Sequence, residues 1–348
     1  MTTMRPEEGQ TRMAREACQA PEAVSRLLRA NGPLCESLAR RFAKTPSRLV
    51  ATCARGSSDH AATYAKYLIE TGLGLPVLSA APSIGSVYGR KMALQESLFL
   101  VISQSGGSPD LVANAGWAKQ NGAFVVALVN RTESPVAAAA DAVLPLHAGP
   151  EESVAATKSY IASLAAIAQL AAALGGLAPL QRALEALPEQ LEAASGLDWN
   201  EAATAIAGAD DLLVVGRGLG LGIAQEAALK LKETAGIHAE GFSAAELMHG
   251  PLALIRKDYP CLIFSQADET RDAVRQLAAT LSEKGAEVFV AEEGEAAPGR
   301  LPVVPGLHPA TAPIAMIQSF YGLANAVALA RGLDPDRPPH LKKVTETR

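Results

Sequence analysis

The chain has 348 residues, of which 49% are hydrophobic and 19% are charged, a balance typical of globular proteins long enough for two domains. The formal net charge of −5 and a pI near 5.8 argue against nucleic acid as a partner. The four cysteines are scattered without a CxxC pair, so we expect neither a disulfide framework nor a bound metal.

The amino-terminal part of the chain indicates a helical segment, which we assign to residues 1–45 on the periodicity of residues 11–45. The first residues lack the apolar stretch of a signal peptide, and no uninterrupted apolar run is long enough to cross a membrane. We therefore expect a cytoplasmic protein that has no membrane partner.

Short apolar runs then alternate with helical stretches. The stretches 59–72 and 109–122 have helical periodicity and end at Gly, a common C-cap. The runs between them are apolar on both faces, which is typical of parallel strands covered by helices. The strand candidates are 48–54, 76–79, 97–102, 124–129 and 142–146. The Ala/Leu-rich stretch 151–200 predicts further helix.

An internal repeat predicts the architecture, because three pairs of landmarks recur at an offset of 162 or 163 residues. They are Arg55-Gly56 with Arg217-Gly218, Ser103-Gln104 with Ser265-Gln266, and Gly122 with Gly285. The chain is therefore expected to hold two copies of one α/β unit, each an open parallel sheet flanked by helices in an αβα sandwich.

Two polar loops of the first copy come directly after strand candidates. They are "RGSSDH" (55–60) and "SQSGGSPD" (103–110), and both lead into predicted helices. In open parallel sheets, ligands bind beyond the carboxyl ends of the strands, and helix N-termini favour anions. Ser and Gly are also ordinary turn residues, but two such loops together indicate a phosphate site made mostly of neutral donors.

The stretch 226–255 is dense in groups that can transfer protons. Lys230 and Glu233 are three residues apart and share a helix face, where a solvated ion pair is the simpler interpretation. His249 precedes Gly-Pro and is therefore expected in a turn. The glycine pattern "VVGRGLGLG" (214–222) is a weak dinucleotide-binding match, since no acidic residue stands at the required distance after it. We expect no cofactor.

Five motifs resemble the SIS (sugar isomerase) domain family, in particular the isomerase half of glucosamine-6-phosphate synthase and stand-alone SIS-type glucosamine-6-phosphate deaminases. They are "ARGSSDHA", "VISQSGGSPD", "EESVAATKS", "ALKLKET…IHAE…ELMHGPLALI" and "DRPPHLKKVTETR". The resemblance implies two tandem flavodoxin-like SIS domains. We expect a phosphate-binding one over 46–190, a catalytic one over 200–335, and a tail over 336–348 that carries an active-site lysine.

The resemblance also implies roles for particular residues. The substrate and its phosphate would be held by Gly56, Ser57, Ser58, Ser103, Gln104, Ser105 and Ser108, with Val154 lining the sugar site. Glu233 would move a proton between C1 and C2 of the open-chain sugar, with Lys230 as its partner. His249 would assist ring opening from a second subunit, which implies a homodimer. The tail lysine would meet the sugar carbonyl, and Lys343 is preferred to Lys342.

Departures from the synthase pattern decide the expected subtype. Residue 2 is Thr rather than the catalytic Cys of the glutaminase domain, so glutamine-dependent synthesis by this chain alone is not expected. Arg55 replaces a Cys and Ala156 replaces a Ser, so sugar contacts are expected to differ. The favoured reaction is glucosamine 6-phosphate plus water giving fructose 6-phosphate plus ammonia.

Several alternatives remain open from the sequence. One is action on galactosamine 6-phosphate or on fructosamine-type sugar phosphates. Others are a synthase-like isomerase without the glutaminase domain, and a non-catalytic sugar-phosphate sensor. In every case the expected ligand is a phosphorylated amino sugar or ketose. The second copy continues after Ser265-Gln266 with Ala-Asp-Glu, so a single phosphate site is expected, in the first copy.

Overall fold

The computed structural model describes residues 10–343, so residues 1–9 and 344–348, the outer ends of the predicted amino-terminal segment and tail, lie outside the described residues. The described chain forms two compact units. The first unit contains residues 22–151, 158–185 and 342–343, and the second contains residues 10–21, 152–157 and 186–341. Segments distant in sequence therefore contribute to each unit.

Ten strands and thirteen α-helices succeed one another along residues 10–343. The strands are β1 (Leu49–Cys53), β2 (Val77–Ser79), β3 (Ser97–Ser103), β4 (Phe124–Val129), β5 (Ala142–Pro145), β6 (Asp211–Gly216), β7 (His238–Ser243), β8 (Pro260–Phe264), β9 (Glu287–Ala291) and β10 (Arg300–Leu301). The helices are α1 (Arg12–Cys18), α2 (Ala20–Lys44), α3 (Ser57–Leu73), α4 (Pro82–Ser86), α5 (Pro109–Gln120), α6 (Pro135–Ala139), α7 (Lys158–Gly175), α8 (Ala178–Ser195), α9 (Asn200–Ala207), α10 (Leu221–Ala235), α11 (Ala244–Leu247), α12 (Arg271–Glu283) and α13 (Ala312–Ala330). Two 3₁₀ turns span Gly218–Gly220 and Pro251–Leu254.

The first unit is built on a five-stranded parallel sheet in the order β2-β1-β3-β4-β5. Every residue of β3 is buried, as expected for a central strand covered by helices on both faces. On one face Phe99 and Val101 of β3 pack with Leu111 of α5, and Trp117 meets the Phe99 ring edge-on. On the other face α3 packs against α7.

The second unit repeats this topology with a parallel sheet in the order β10-β9-β8-β6-β7. Leu213, Val215 and Ile263 of the sheet pack with Val274 and Leu277 of α12. Helix α10 lies against β6, β7 and α13. The predicted fold class, two tandem αβα units with parallel sheets, is confirmed.

The segment 152–157 is fixed within the second unit by helix α1. The buried Glu16 carboxylate accepts hydrogen bonds from the backbone N–H of Glu152 (2.5 Å) and of Ser153 (3.1 Å). The start of α1 is in turn held by Asp336, whose carboxylate accepts from the N–H of Arg12 and Met13. Val154 therefore lies on a loop whose backbone is anchored by a carboxylate.

Two of the described helices, Lys158–Gly175 and Ala312–Ala330, are long and apolar enough to cross a membrane by length and composition. Each is 78% buried within the fold. Their apolar character is accounted for by their position as core helices, since a helix apolar all round is buried in the centre of a protein or spans a membrane.

Candidate active site

A cavity of about 330 Å³ lies at the carboxyl ends of β1 and β3 in the first unit. It is lined by Arg55, Gly56, Ser58, Ile102, Ser103, Gln104, Ser105, Ser108, Leu111 and Lys343. The two polar loops meet here because β1 and β3 are adjacent and parallel, so their carboxyl ends share one edge of the sheet. Residues from three distant parts of the sequence therefore form one polar surface.

The loop after β3 is held by its own serines. The Ser103 Oγ accepts a hydrogen bond from the Gly106 N–H (3.1 Å), and the Ser105 Oγ accepts from the Gly107 N–H (3.3 Å). Gly106 has a φ of +62°, and a Cβ there would lie 2.1 Å from the Ser134 Oγ, so the turn requires glycine. Because these oxygens accept from the backbone, both hydroxyl hydrogens remain available to donate to an anion.

Helix α5 begins at the cavity. Ser108 occupies its N-cap position with extended backbone angles, and Pro109 is the first helical residue, as predicted for this loop. The Ser108 hydroxyl makes no capping hydrogen bond within the described chain and lines the cavity. The positive end of the helix dipole therefore faces the same space as a free hydroxyl donor.

Two cations line the cavity, whereas the sequence indicated mostly neutral donors. The Arg55 Nε donates to Asp110 Oδ2 (2.8 Å), and the Lys343 Nζ donates to Glu151 Oε2 (3.0 Å). Both carboxylate side chains are fully buried. Glu151 also accepts from the N–H and the Oγ–H of Ser159, at the start of α7. Each cation is thus tied to a buried, hydrogen-bonded carboxylate.

Of the remaining expected binding residues, some line this cavity and others do not. Gly56 has a φ of +54° and lines the cavity at the turn between β1 and α3. Ser57 begins α3 and is outside the lining. Val154 belongs to the second unit. Lys342 is exposed, whereas Lys343 is partly buried and lines the cavity.

Cys53 lies beside the cavity and has a thiol of low reactivity. Cys53 ends β1 just before the cavity, and its burial raises the pKa of its thiol to about 12, with the nearby Asp110 charge adding to the increase. The thiol is therefore protonated near neutral pH and cannot attack as thiolate. Burial likewise raises the pKa of the Asp59 carboxyl, in the first turn of α3.

Another cavity, of about 380 Å³, lies at the opposite edge of the same sheet. Its lining is mostly apolar, including Leu38, Phe42 and Leu170, and the charged Lys119 and Asp141 pair with one another at 2.8 Å. Hydroxyl and cationic groups line it too, but they are accompanied by the carboxylates of Glu96 and Asp141, whereas the lining of the first cavity has no carboxylate. A phosphate ester is therefore better matched by the carboxyl edge.

In the second unit Lys230 of α10 contacts two carboxylates of the same helix. Its Nζ hydrogen-bonds Glu233 Oε2 and lies 3.6 Å from Glu226 Oε1. The side chains of Lys230 and Glu226 are 1% and 0% exposed, while that of Glu233 is 20% exposed. The pair is therefore no solvated surface ion pair: a buried ammonium holds a carboxylate that still reaches solvent.

His249 lies in a turn, as its position before Gly-Pro indicated. It is exposed, and Gly250 (φ +138°) leads into the 3₁₀ turn of residues 251–254. Met248 and Leu254 beside it are half exposed. In the described chain, no group of three or more His, Cys, Asp or Glu side chains is placed to hold a metal ion.

The carboxyl edge of the second sheet is filled by its own side chains. Ser265, the counterpart of Ser103, donates its Oγ–H to Glu292 Oε1 (2.9 Å). Gln266, the counterpart of Gln104, donates to the Arg217 carbonyl and to Asp268 (both 2.8 Å). These side chains are buried and hydrogen-bonded within the second unit, and the single phosphate site expected in the first copy stays a prediction.

Comparison with known proteins agrees with the repeat seen in the structure. The model of the SIS domain matches residues 45–173 and 205–291, one segment in each unit. A glutamine–fructose-6-phosphate aminotransferase (isomerizing) of Symbiobacterium thermophilum is 36% identical over 314 residues, covering 85% of this chain and 51% of the relative. The chain thus spans about half the length of the curated relatives it matches.

Solved structures cover nearly the whole chain. A protein of Silicibacter pomeroyi DSS-3, provisionally described as a phosphosugar isomerase, is 43% identical with a TM-score of 0.90, covering 94% of this chain and 100% of its own. The C-terminal domain of glucosamine-fructose-6-phosphate aminotransferase from Francisella tularensis is 26% identical with a TM-score of 0.85, covering 96% and 100%. A glucosamine-6-phosphate deaminase of Thermotoga maritima shares the fold, with a TM-score of 0.78 at 19% identity, covering 97% and 100%.

The matched segments, the two sheets of identical topology and these relatives agree with one another. The chain therefore belongs to the SIS domain family and is homologous to the isomerase domain of glutamine–fructose-6-phosphate aminotransferases.

Proposed function

We propose that the chain is an amino-sugar-phosphate deaminase and isomerase that converts glucosamine 6-phosphate and water to fructose 6-phosphate and ammonia. The observation that carries the proposal is the cavity of the first unit, in which hydroxyl, amide, guanidinium and ammonium donors converge. Such a donor set suits a phosphorylated sugar, and the relatives named above act on amino-sugar or ketose phosphates.

In the proposed reaction the phosphate is the anchor. The hydroxyls of Ser58, Ser105 and Ser108 would donate to it, together with Ser103 and the amide of Gln104. Because the phosphate is remote from the reacting carbons, its binding energy orients the sugar for the reaction and does not take part in bond changes. Such an anchor needs no acid or base of its own.

Glu233 is the proposed proton shuttle. Once the ring is open, its carboxylate would remove the proton from C2, which bears the amino group, and deliver a proton to C1. The product of this transfer is a 2-imine, to which water adds at C2 before ammonia leaves. Support comes from the contact of Lys230 with Glu233, because a buried ammonium fixes the orientation of the carboxylate while its free oxygen stays accessible.

Lys343 and His249 have proposed roles at the two ends of this sequence of steps. His249 would donate a proton to the ring oxygen during opening, since both ring nitrogens of an imidazolium are donors. Lys343 would contact the carbonyl of the open sugar, and in support its Nζ is held by Glu151 at the cavity. Val154 is proposed to line the sugar, on the loop that Glu16 anchors.

We further propose a homodimer in which His249 acts on the substrate of the other subunit. In support, His249 is exposed and flanked by the apolar Met248 and Leu254, which is the kind of surface that subunit interfaces cover. Co-expression of His249→Ala and Glu233→Gln chains tests this. Mixed dimers would regain activity that each variant lacks alone, whereas no recovery in mixed dimers would contradict the shared site.

The activity itself is tested by incubating the purified protein with glucosamine 6-phosphate and measuring ammonia and fructose 6-phosphate as coupled products. We expect equal amounts of both. Turnover restricted to galactosamine 6-phosphate or to a fructosamine 6-phosphate would change the assigned substrate but keep the reaction class. Sugar-phosphate binding without turnover of any of the three would overturn the enzymatic proposal in favour of a sensor.

A further inference from the structure

We infer that Arg55 is a phosphate-binding residue of the cavity, held by Asp110 so that its outer N–H groups bind the phosphate dianion. The inference rests on the proposed function in so far as it concerns the same phosphate site. It adds a charged ligand to a site for which the sequence indicated mostly neutral donors.

Arg55 lies just beyond the carboxyl end of β1. It lies two residues after the end of β1 and directly before Gly56, whose positive φ turns the chain into α3. Its side chain is half exposed and lines the cavity together with Ser58 and Ser103. An arginine at this point is therefore among the first groups that an entering anion meets.

Asp110 fixes the guanidinium through one nitrogen. The Arg55 Nε donates to Asp110 Oδ2 (2.8 Å), while Asp110 Oδ1 accepts the N–H of Leu111 (2.9 Å). The Asp110 side chain is fully buried, so its position is set by the first turn of α5. The guanidinium is thus held through its Nε, and its orientation is fixed in the absence of a ligand.

The outer edge of the guanidinium is left for a ligand. A guanidinium has five N–H donors in a fixed plane, of which Asp110 uses the one on Nε. The four on Nη1 and Nη2 have no acceptor among residues 10–343. Two parallel N–H groups match two oxygens of a phosphate, which is the arrangement that arginine favours.

The charges around the cavity are compatible with this role. The side chains of Asp110 and Glu151 are fully buried and do not line the cavity, whereas their partners Arg55 and Lys343 do. Asp59, in the first turn of α3, is a further acidic group whose charge interacts with Arg55. An entering dianion therefore meets the cationic groups of the lining and not their partner carboxylates.

The competing explanation is a purely structural ion pair that ties the end of β1 to α5. The two explanations differ in one measurable respect, the affinity for inorganic phosphate. A structural pair affects stability alone, whereas a binding residue also changes the dissociation constant of the anion. The second unit provides a matched control, because Arg217 stands at the equivalent strand end of the repeat.

Calorimetric titration of the full-length protein with inorganic phosphate tests the inference. Replacement Arg55→Gln should raise the dissociation constant about 10- to 100-fold, as expected for loss of a charged bidentate donor. Arg55→Lys, which keeps the charge but not the fork, should give an intermediate value, and Asp110→Asn a rise of a few-fold. Arg217→Gln should leave the constant within a factor of two of that of the unchanged protein.

An unchanged dissociation constant in a folded Arg55→Gln protein would overturn the inference, as would the absence of phosphate binding to the unchanged protein. If Arg55→Gln fails to fold, the comparison of Arg55→Lys with the unchanged protein decides in the same way. Because the titration with inorganic phosphate does not depend on turnover, this inference and the proposed function can fail separately. Arg55-dependent phosphate binding by a protein without deaminase activity removes the proposed function alone. Deaminase activity with an unaltered KM in Arg55→Gln removes this inference alone.

Discussion

The carboxyl edges of the two sheets occupy the same place in two copies of one fold, yet their polar residues are used differently. In the first unit Ser103 and Gln104 line an open cavity with two cations. In the second unit Ser265 and Gln266 are buried, and both donate to neighbouring side chains of the same edge. The same dipeptide therefore lines a cavity in one copy and forms internal hydrogen bonds in the other.

The difference arises from the residues that come after each dipeptide. After Gln104 come Ser105 and two glycines, which turn the chain away and leave space. After Gln266, Asp268 accepts from the N–H and the hydroxyl of Thr270, the residue that precedes α12. Its carboxylate places a negative charge beside the start of the helix, which disfavours an external anion there. The fold is thus present twice, whereas the open polar cavity described here lies at the carboxyl edge of the first unit.

We proposed that the first unit binds the phosphate and that the second unit supplies the proton-transfer carboxylate. The strongest test of this difference is Glu233→Gln. We expect kcat with glucosamine 6-phosphate to fall by about 10²- to 10⁴-fold, because the amide cannot accept the C2 proton. The affinity for inorganic phosphate should stay unchanged. Glu240→Gln, which removes an exposed carboxylate from β7 of the same unit, is the control and should keep full activity. Substantial turnover by the Glu233 variant would place proton transfer elsewhere.

The internal use of the second edge is tested by Glu292→Gln. Glu292 is buried and meets Arg271 (3.2 Å), Arg275 (2.8 Å) and Arg300 (3.7 Å). Loss of its charge should lower the free energy of unfolding by about 2–3 kcal/mol, because the three partly solvated guanidinium groups lose their shared counter-ion. Urea denaturation measures this.

Two further measurements complete that test. Glu293→Gln keeps an oxygen acceptor for the Gly306 N–H and should change stability by less than about 0.5 kcal/mol. The phosphate dissociation constant should be the same in both variants. A tenfold change of that constant in Glu292→Gln would mean that the second edge takes part in anion binding after all.

Paired serine replacements compare the two edges directly. Ser103→Ala should raise the phosphate dissociation constant about tenfold, because the anion loses a hydroxyl donor. Ser265→Ala should leave that constant unchanged and lower the free energy of unfolding by about 1–2 kcal/mol, because Glu292 loses a donor. The reverse pattern, with binding impaired by the Ser265 change, would contradict the assignment of the cavity to the first unit.

The smallest expected effect concerns acid stability. Burial lowers the pKa of His308 in the second unit, and burial together with the Arg26 charge lowers the pKa of His147 in the first. The folded protein then binds these protons less readily than the unfolded chain, so stability falls as the pH drops below the ordinary histidine value of about 6.5. Both units should therefore lose stability in acid.

His308→Asn isolates one of these contributions, because the Asn side-chain oxygen can replace the Nδ1 that accepts from the Ala310 N–H (3.1 Å). Between pH 7.5 and pH 5 the variant should lose less stability than the unchanged protein, by up to about 1 kcal/mol. Denaturation at both pH values measures the difference. An identical loss in both proteins would show that His308 titrates normally.

The strands and their order were predictable because buried parallel strands are continuous apolar runs between turn residues. All five strands of the first sheet begin and end within two residues of the prediction. The short strand β10 and the helices α4 and α6 give no comparable periodic signal, and the sequence did not predict them. Because the landmarks recur at an offset of 162 residues, the topology predicted for the first sheet also applied to the second.

The sheet topology made it predictable that the two polar loops would meet at one cavity. The ion pairs that place charged groups in that cavity were not predictable. Adjacent parallel strands bring their carboxyl ends together, which is why Ser58 and Ser103 line one space. The ion pairs Arg55–Asp110 and Glu151–Lys343 join residues 55 and 192 positions apart, and no local pattern encodes them. The spacing of Lys230 and Glu233 in the sequence is the same for an exposed and for a buried pair. The burial of the lysine could therefore be seen only in the tertiary structure.

The contact between Lys343 and Glu151 has a consequence for the order in which the protein is made. Residues 342–343 belong to the first unit, although the whole sheet of the second unit precedes them in the chain. During synthesis, domains generally fold as they emerge, so the serine loops can take shape long before this lysine leaves the ribosome. The ammonium group that completes the cavity is thus the last of its components to be translated.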